Sequence, residues 1–107
     1  MPLRGRRCQP CEGGVQPLTE VEIRPLAAEV PGWSVAGERL RRRFVFRDFA
    51  AAMAFVNQVA ALAEEEGHHP DVAIHYREVE LILWTHAIGG LSENDFILAA
   101  KIDGLGA

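Results

Sequence analysis

From Leu18 onward the apolar positions switch between helical and strand spacing, and each switch is marked by a turn or cap residue. Thr19-Glu20-Val21-Glu22 has the form of a capping box, with Thr19 as N-cap and Glu22 at the third helical position. A short helix follows and ends before Pro31-Gly32. Pro25 inside it removes a backbone donor and clashes one turn back, which predicts a kink or a very short ordered part. Trp33-Ser34-Val35 and Leu40 to Phe46 read as strands, with the turn near Gly37. Asp48 caps the longest helix, which runs to about Glu66 and is stopped by Gly67. Phe49, Met53, Val56, Ala60 and Ala63 form one apolar stripe on it. Phe55, Val59 and Leu62 widen that stripe, which predicts a helix covered on two sides, either central or at a subunit contact. Val72 to Tyr76 and Val79 to His86 read as two more strands. In the second, Val79, Leu81, Leu83 and Thr85 face one way and Glu80, Ile82, Trp84 and His86 the other. After Gly89-Gly90, Ser92 caps a last helix with Glu93 and Asp95 in its first turn, anchored by Phe96, Ile97, Ala100 and Ile102. The order α-β-β-α-β-β-α predicts an α+β fold: a four-stranded antiparallel sheet with helices packed on one face.

The chain has 107 residues, 49% of them hydrophobic and 24% charged, which suits one globular domain. That domain is placed at residues 18–107. Residues 1–17 carry Pro, Gly, Arg and both cysteines without periodicity, and read as an extended or mobile Cys-containing arm. No apolar run approaches the roughly 20 residues that cross a bilayer, and no apolar stretch follows the N-terminal arginines; a cytoplasmic location is expected, with no membrane contact. The formal charge is −4 and is uneven: nine arginines and five glutamates precede Asp48, and two basic and ten acidic residues follow from there. A net acidic chain is a poor nucleic-acid binder. Arg41-Arg42-Arg43 reads as a solvated strand flank that resists edge pairing, with a phosphate patch as the lesser reading.

Candidate chemistry gathers at element ends. His68 and His69 follow the long helix directly, and Pro70 forces the chain out of helical conformation. His86 precedes a Gly-rich turn, Asp95 opens the last helix, and Glu64 lies one turn before His68. Imidazole, with an unperturbed pKa of about 6.5, gives or takes protons near neutrality. Two or three imidazoles with carboxylates suit general acid–base catalysis. The same residue types bind zinc, but no H-x-x-x-H or H-E-x-x-H spacing is present, and no metal is expected. The plain alternative is a polar helix terminus in which His68 and His69 complement the dipole. His75, mid-strand without an acidic neighbour, reads as a surface residue, and Trp33 as core. Cys8-x-x-Cys11 is a lone pair of cysteines, too few to close a zinc site and not at a helix start as a redox motif requires.

Glu64-x-x-x-His68-His69-Pro70, Tyr76, Thr85-His86 and Gly90-Leu91-Ser92-Glu93-Asn94-Asp95 together resemble the pterin-4a-carbinolamine dehydratases. Pro31-Gly32-Trp33 and Phe44-x-Phe46-x-Asp48-Phe49 are similar to that family as well, so the resemblance covers about residues 18–103. It implies the same α+β fold, dimers that can pair into tetramers, and removal of water from 4a-hydroxytetrahydropterin to give quinonoid dihydropterin. That reaction recycles the pterin used by aromatic amino acid hydroxylases and needs no metal or organic cofactor. By this resemblance His68, His69 and His86 form the catalytic set. His68 and His86 are the acid–base candidates, and His69 holds the pterin. Glu64 and Asp95 orient the imidazoles, and Trp33 and Pro70 complete the binding site. Gly67 departs from the family, which often carries an acid there. The resemblance also admits a pterin-binding role in another pathway, such as molybdopterin metabolism, or a protein-binding dimerisation role through the long helix.

Overall fold

The computed structural model describes residues 2–9 and 16–105. Helix α1 spans Glu20–Ala28, and its capping box is formed: Glu22 N–H donates to Thr19 Oγ1, and Thr19 N–H donates to Glu22 Oε1. Pro25 lies inside this nine-residue helix. Pro25 and Val21 are both exposed, so water can meet the carbonyl that the proline leaves unpaired.

Strands β1 (Ser34–Ala36) and β2 (Arg39–Val45) form a hairpin through Gly37, whose φ of 61° a residue with a side chain rarely adopts. β3 (Asp71–His75) and β4 (Glu78–Leu83) form a second hairpin, turned by Tyr76 at φ 57°. All pairings are antiparallel and the strand order is β1-β2-β4-β3. β2 and β4 pair centrally, Leu40 opposite Leu83 and Phe44 opposite Val79, so their apolar faces coincide. Two expectations change here, the solvated edge-guarding arginines and the strand running to His86. β2 has neighbours on both sides, so its arginines do not guard an edge. Arg41 and Arg43 are exposed, but Arg42 shares the inner face with Leu40 and Phe44. Its guanidinium reaches Asp103 Oδ1 at 2.8 Å and lies over the Phe44 ring. β4 ends at Leu83, and His86 sits in a 3₁₀ turn, His86–Ile88, beyond it.

Helix α2 spans Phe49–Glu66. Asp48 accepts from Ala51 N–H at its start, and Gly67 at φ 67° ends it. Its core face is Ala52, Phe55, Val59, Ala63 and Glu66. Of the stripe expected through Phe49, Met53, Val56, Ala60 and Ala63, only Ala63 is fully buried, and Phe49 is half exposed. The shift has an aromatic cause: Phe55 packs against Phe44 of β2 and Phe46 just beyond it, ring centroids 4.7 and 5.0 Å away. Helix α3 (Glu93–Asp103) buries eight of its eleven residues, polar Asn94 and Asp95 among them.

Residues 2–9 lie against the domain and do not stand off as a mobile arm. Leu3, in a 3₁₀ turn over Leu3–Gly5, is 1% exposed and joins the core cluster. Arg6 pairs with Glu93, and Arg7 with Glu66. Cys8 is a free, half-buried thiol, pushed up to about 12 by burial and by the Glu66 carboxylate. Cys11 lies outside the described residues.

Candidate active site

Gly67 sets the position of the first imidazole. Its left-handed conformation closes α2, with the N–H groups of Gly67 and His68 both donating to Ala63 O. The chain then turns so that His68 Nε2 meets Asp95 Oδ1 at 2.6 Å. Asp95 is wholly buried. Its second oxygen accepts from Ser92 N–H and from Thr85 Oγ1, both at 2.9 Å. The Ser92 and Thr85 hydroxyls are 2.7 Å apart. The first of these bonds is a helix cap and the second ties the helix to the end of β4. One carboxylate thus holds α3, the sheet and His68 together.

An ionised Asp95 carboxylate offers acceptors only, and His68 Nε2 is then the donor of the bond to Oδ1. Nδ1 is the ring nitrogen left over for other work. The bond to Asp95 also fixes the orientation of the His68 ring.

His68, His69 and His86 line one cleft of about 250 Å³, with Gln9, Gly67, Trp84, Thr85, Ala87 and Asn94. His86 stacks on Trp84, ring centroids 3.9 Å apart. Trp84 is itself fixed, its Nε1 donating to Asp71 Oδ2 at 3.1 Å and the Arg39 guanidinium lying 3.7 Å from its ring. His69 is exposed and pairs with Glu64. Pro70 and Glu64 line an adjoining groove of about 240 Å³ beside Val56, Ala60 and Val72, and His69 lines both. Trp33 is not part of either wall. It is buried against Phe44, and its Nε1 donates to Asp103 Oδ1 at 2.9 Å, at the opposite end of α3 from Asp95. Trp84 supplies the aromatic wall instead. His75 is exposed on β3. Among the described residues no cluster of three or more His, Cys, Asp or Glu side chains is arranged for a metal ion.

Several contributors were not singled out from sequence. Thr85 and Asn94 stand in the motifs of the resemblance, but no role attached to them there. Glu66 did carry a signal: it continues the buried series Ala52, Phe55, Val59, Ala63 by one further step of three. Its carboxylate accepts from Cys8 N–H at 2.9 Å and faces Arg7 at 3.3 Å and Lys101 at 3.6 Å. Burial alone would raise its pKa, but the Cys8 hydrogen bond and the Lys101 and Arg7 charges outweigh it and hold the carboxyl below its usual range.

The chain is similar in sequence and fold to known proteins. The family described as Pterin 4 alpha carbinolamine dehydratase matches residues 16–105. A Dechloromonas aromatica protein named "Putative pterin-4-alpha-carbinolamine dehydratase" is 48% identical over 96% of this chain and 92% of its own. A Rubrobacter xylanophilus protein of the same name is 49% identical, over 96% and 97%. Among solved structures, a transcriptional coactivator/pterin dehydratase from Brucella melitensis superimposes with a TM-score of 0.79 at 35% identity, covering 86% of this chain and all of that one. A pterin dehydratase-like RuBisCO assembly factor of the alpha-carboxysome gives 0.58 at 30% identity, over 70% and 87%. With the family match running from before α1 to beyond α3, and relatives near half identity over nearly the whole length, the chain belongs to the pterin-4-alpha-carbinolamine dehydratase family.

Proposed function

We propose that this protein is a hydro-lyase that removes water from 4a-hydroxytetrahydropterin, giving quinonoid dihydropterin. The observation that carries the reading is His68, bonded to buried Asp95, sharing a cleft with His86. Dehydration needs a proton on the 4a-hydroxyl oxygen as the C–O bond breaks. The lone pair of a ring nitrogen forms the new C=N bond, and that nitrogen gives up a proton. His68, with Nε2 committed to Asp95, has Nδ1 available to take that proton, and buried Asp95 stabilises the imidazolium that results. In this reading His86, stacked on Trp84, protonates the departing hydroxyl. His69 holds the pterin, steadied by Glu64, and the indole of Trp84 gives its planar ring a wall.

Within a cell the reaction would return spent pterin to an aromatic amino acid hydroxylase. The half-exposed stripe of α2 (Phe49, Met53, Val56) would join copies into a dimer or a dimer of dimers, and a monomer in sedimentation equilibrium would argue against that assembly.

The direct test is stopped-flow decay of 4a-hydroxytetrahydropterin generated in situ by a hydroxylase. Wild type should accelerate it, and His68→Ala and His86→Ala should each lose about 10²–10⁴-fold while staying folded. A folded wild type that gives no acceleration would overturn the reading. It would then favour a protein-binding role, such as the one named for the RuBisCO assembly factor that shares this fold.

A further inference from the structure

The segment ahead of the family match contributes part of the cleft. That match begins at residue 16, yet Gln9 lines the cleft together with His68, His69, Trp84 and His86. The backbone at Gln9 is pinned at two points by one side chain. Gln9 N–H donates to Asn94 Oδ1 at 2.9 Å, and Asn94 Nδ2 donates to Gln9 O at 2.6 Å. One residue earlier, Cys8 N–H donates to the buried Glu66 carboxylate at 2.9 Å. Asn94 and Glu66 are themselves buried, Asn94 next to Asp95 in sequence and Glu66 two residues before His68. The backbone of residues 8 and 9 is therefore held in register with the His68–Asp95 pair.

The side chain of Gln9 is not used in this anchoring. Among the described residues its one side-chain hydrogen bond is a long one, 3.4 Å, from Nε2 to the Arg7 carbonyl. Gln9 lines the cleft on a fixed backbone, and its carboxamide carries both a donor and an acceptor that a ligand there could use. We infer that Gln9 is a substrate-binding residue that reads the pyrimidine edge of the pterin, its amide N–H donating to the ring carbonyl and its amide oxygen accepting from the adjacent ring N–H. The inference rests on the reading of the cleft as a pterin site. Two parallel bonds of this kind favour a lactam edge and leave the proton-transfer groups untouched.

The test compares wild type, Gln9→Ala and Gln9→Glu in the stopped-flow assay, with equilibrium binding of 7,8-dihydropterin followed by fluorescence. Gln9→Ala should raise KM about tenfold and weaken dihydropterin binding in step, with kcat within about threefold of wild type, the pattern of lost ground-state and transition-state binding alike. Gln9→Glu, which replaces the donor with a second acceptor, should weaken both at least as much. The thermal midpoint should not move, because Asn94 holds the backbone of residue 9 and not its side chain. An active wild type whose KM and dihydropterin affinity are unchanged by Gln9→Ala would overturn the inference and leave the dehydratase reading standing. So would a loss confined to kcat. An inactive wild type would instead overturn the reading of the cleft.

Discussion

Replacing Asp95 with Asn tests the site at one atom. Asp95 makes three contacts: Oδ1 to His68 Nε2, and Oδ2 from Ser92 N–H and Thr85 Oγ1. The amide has nearly the same shape but only one oxygen. If that oxygen faces Ser92 and Thr85, the helix cap survives and the NH₂ group faces His68. Nε2 must then accept, the ring proton moves to Nδ1, and His68 can no longer act as a base there. If the amide flips, its NH₂ meets Ser92 N–H donor to donor in a wholly buried position, a cost of about 1–3 kcal/mol that disfavours this orientation. The variant should therefore fold, losing about 1–2 kcal/mol with the charge-assisted bonds. Its kcat should fall about 10²–10⁴-fold, the effect of the wrong tautomer in comparable carboxylate–histidine sites. Stopped-flow turnover beside a urea melt separates the two effects. A folded variant whose kcat stays within about threefold of wild type would refute the tautomer argument.

Other consequences concern the frame around the site. Glu66→Gln leaves Lys101 and Arg7 without their buried counter-charge and should cost about 3 kcal/mol in denaturant unfolding. In wild type the Glu66 carboxyl titrates below its unfolded value of 4.5, so its contribution is complete above that pH and is lost as pH falls through the folded value. Melts between pH 3 and 7 should show this acid loss in wild type and a flatter profile in the variant; equal profiles would count against the ion cluster. Gly67→Ala meets no atom within 4 Å, so its cost is the left-handed backbone alone, about 1 kcal/mol in a urea melt. No loss would mean that the end of α2 relaxes. Leu3→Ala should cost about 2–4 kcal/mol, since Leu3 belongs to the core; a loss below about 0.5 kcal/mol would contradict the docked N-terminal segment.

Local rules carried most of the architecture. The caps at Thr19, Asp48 and Ser92, the stop at Gly67 and the alternation along Val79, Leu81 and Leu83 each depend on neighbours a few residues away, and each element forms where those signals stand. His68, His69 and His86 were legible as candidates because they sit at element ends, and the cleft does bring them together. Which face of α2 is buried was not legible, because apolar residues surround much of that helix. The aromatic ring of Phe55 decided it by packing on Phe44 and Phe46. The role of Arg42 was hidden by its two exposed neighbours until the sheet placed it over Asp103.

The residue types that can move a proton, and their placement at the ends of helices and strands, followed from the sequence, because chemistry and local conformation are properties of short segments. The partners of those residues did not. His68 meets Asp95 across 27 positions, and Gln9 meets Asn94 across 85. Trp33 goes to the core, as its own neighbourhood suggests and against its place in the site implied by the resemblance, and Trp84 goes to the cleft. Contacts of that range exist only once the sheet has ordered its strands and buried α3 beneath them, so only the tertiary structure decided which acid orients which base.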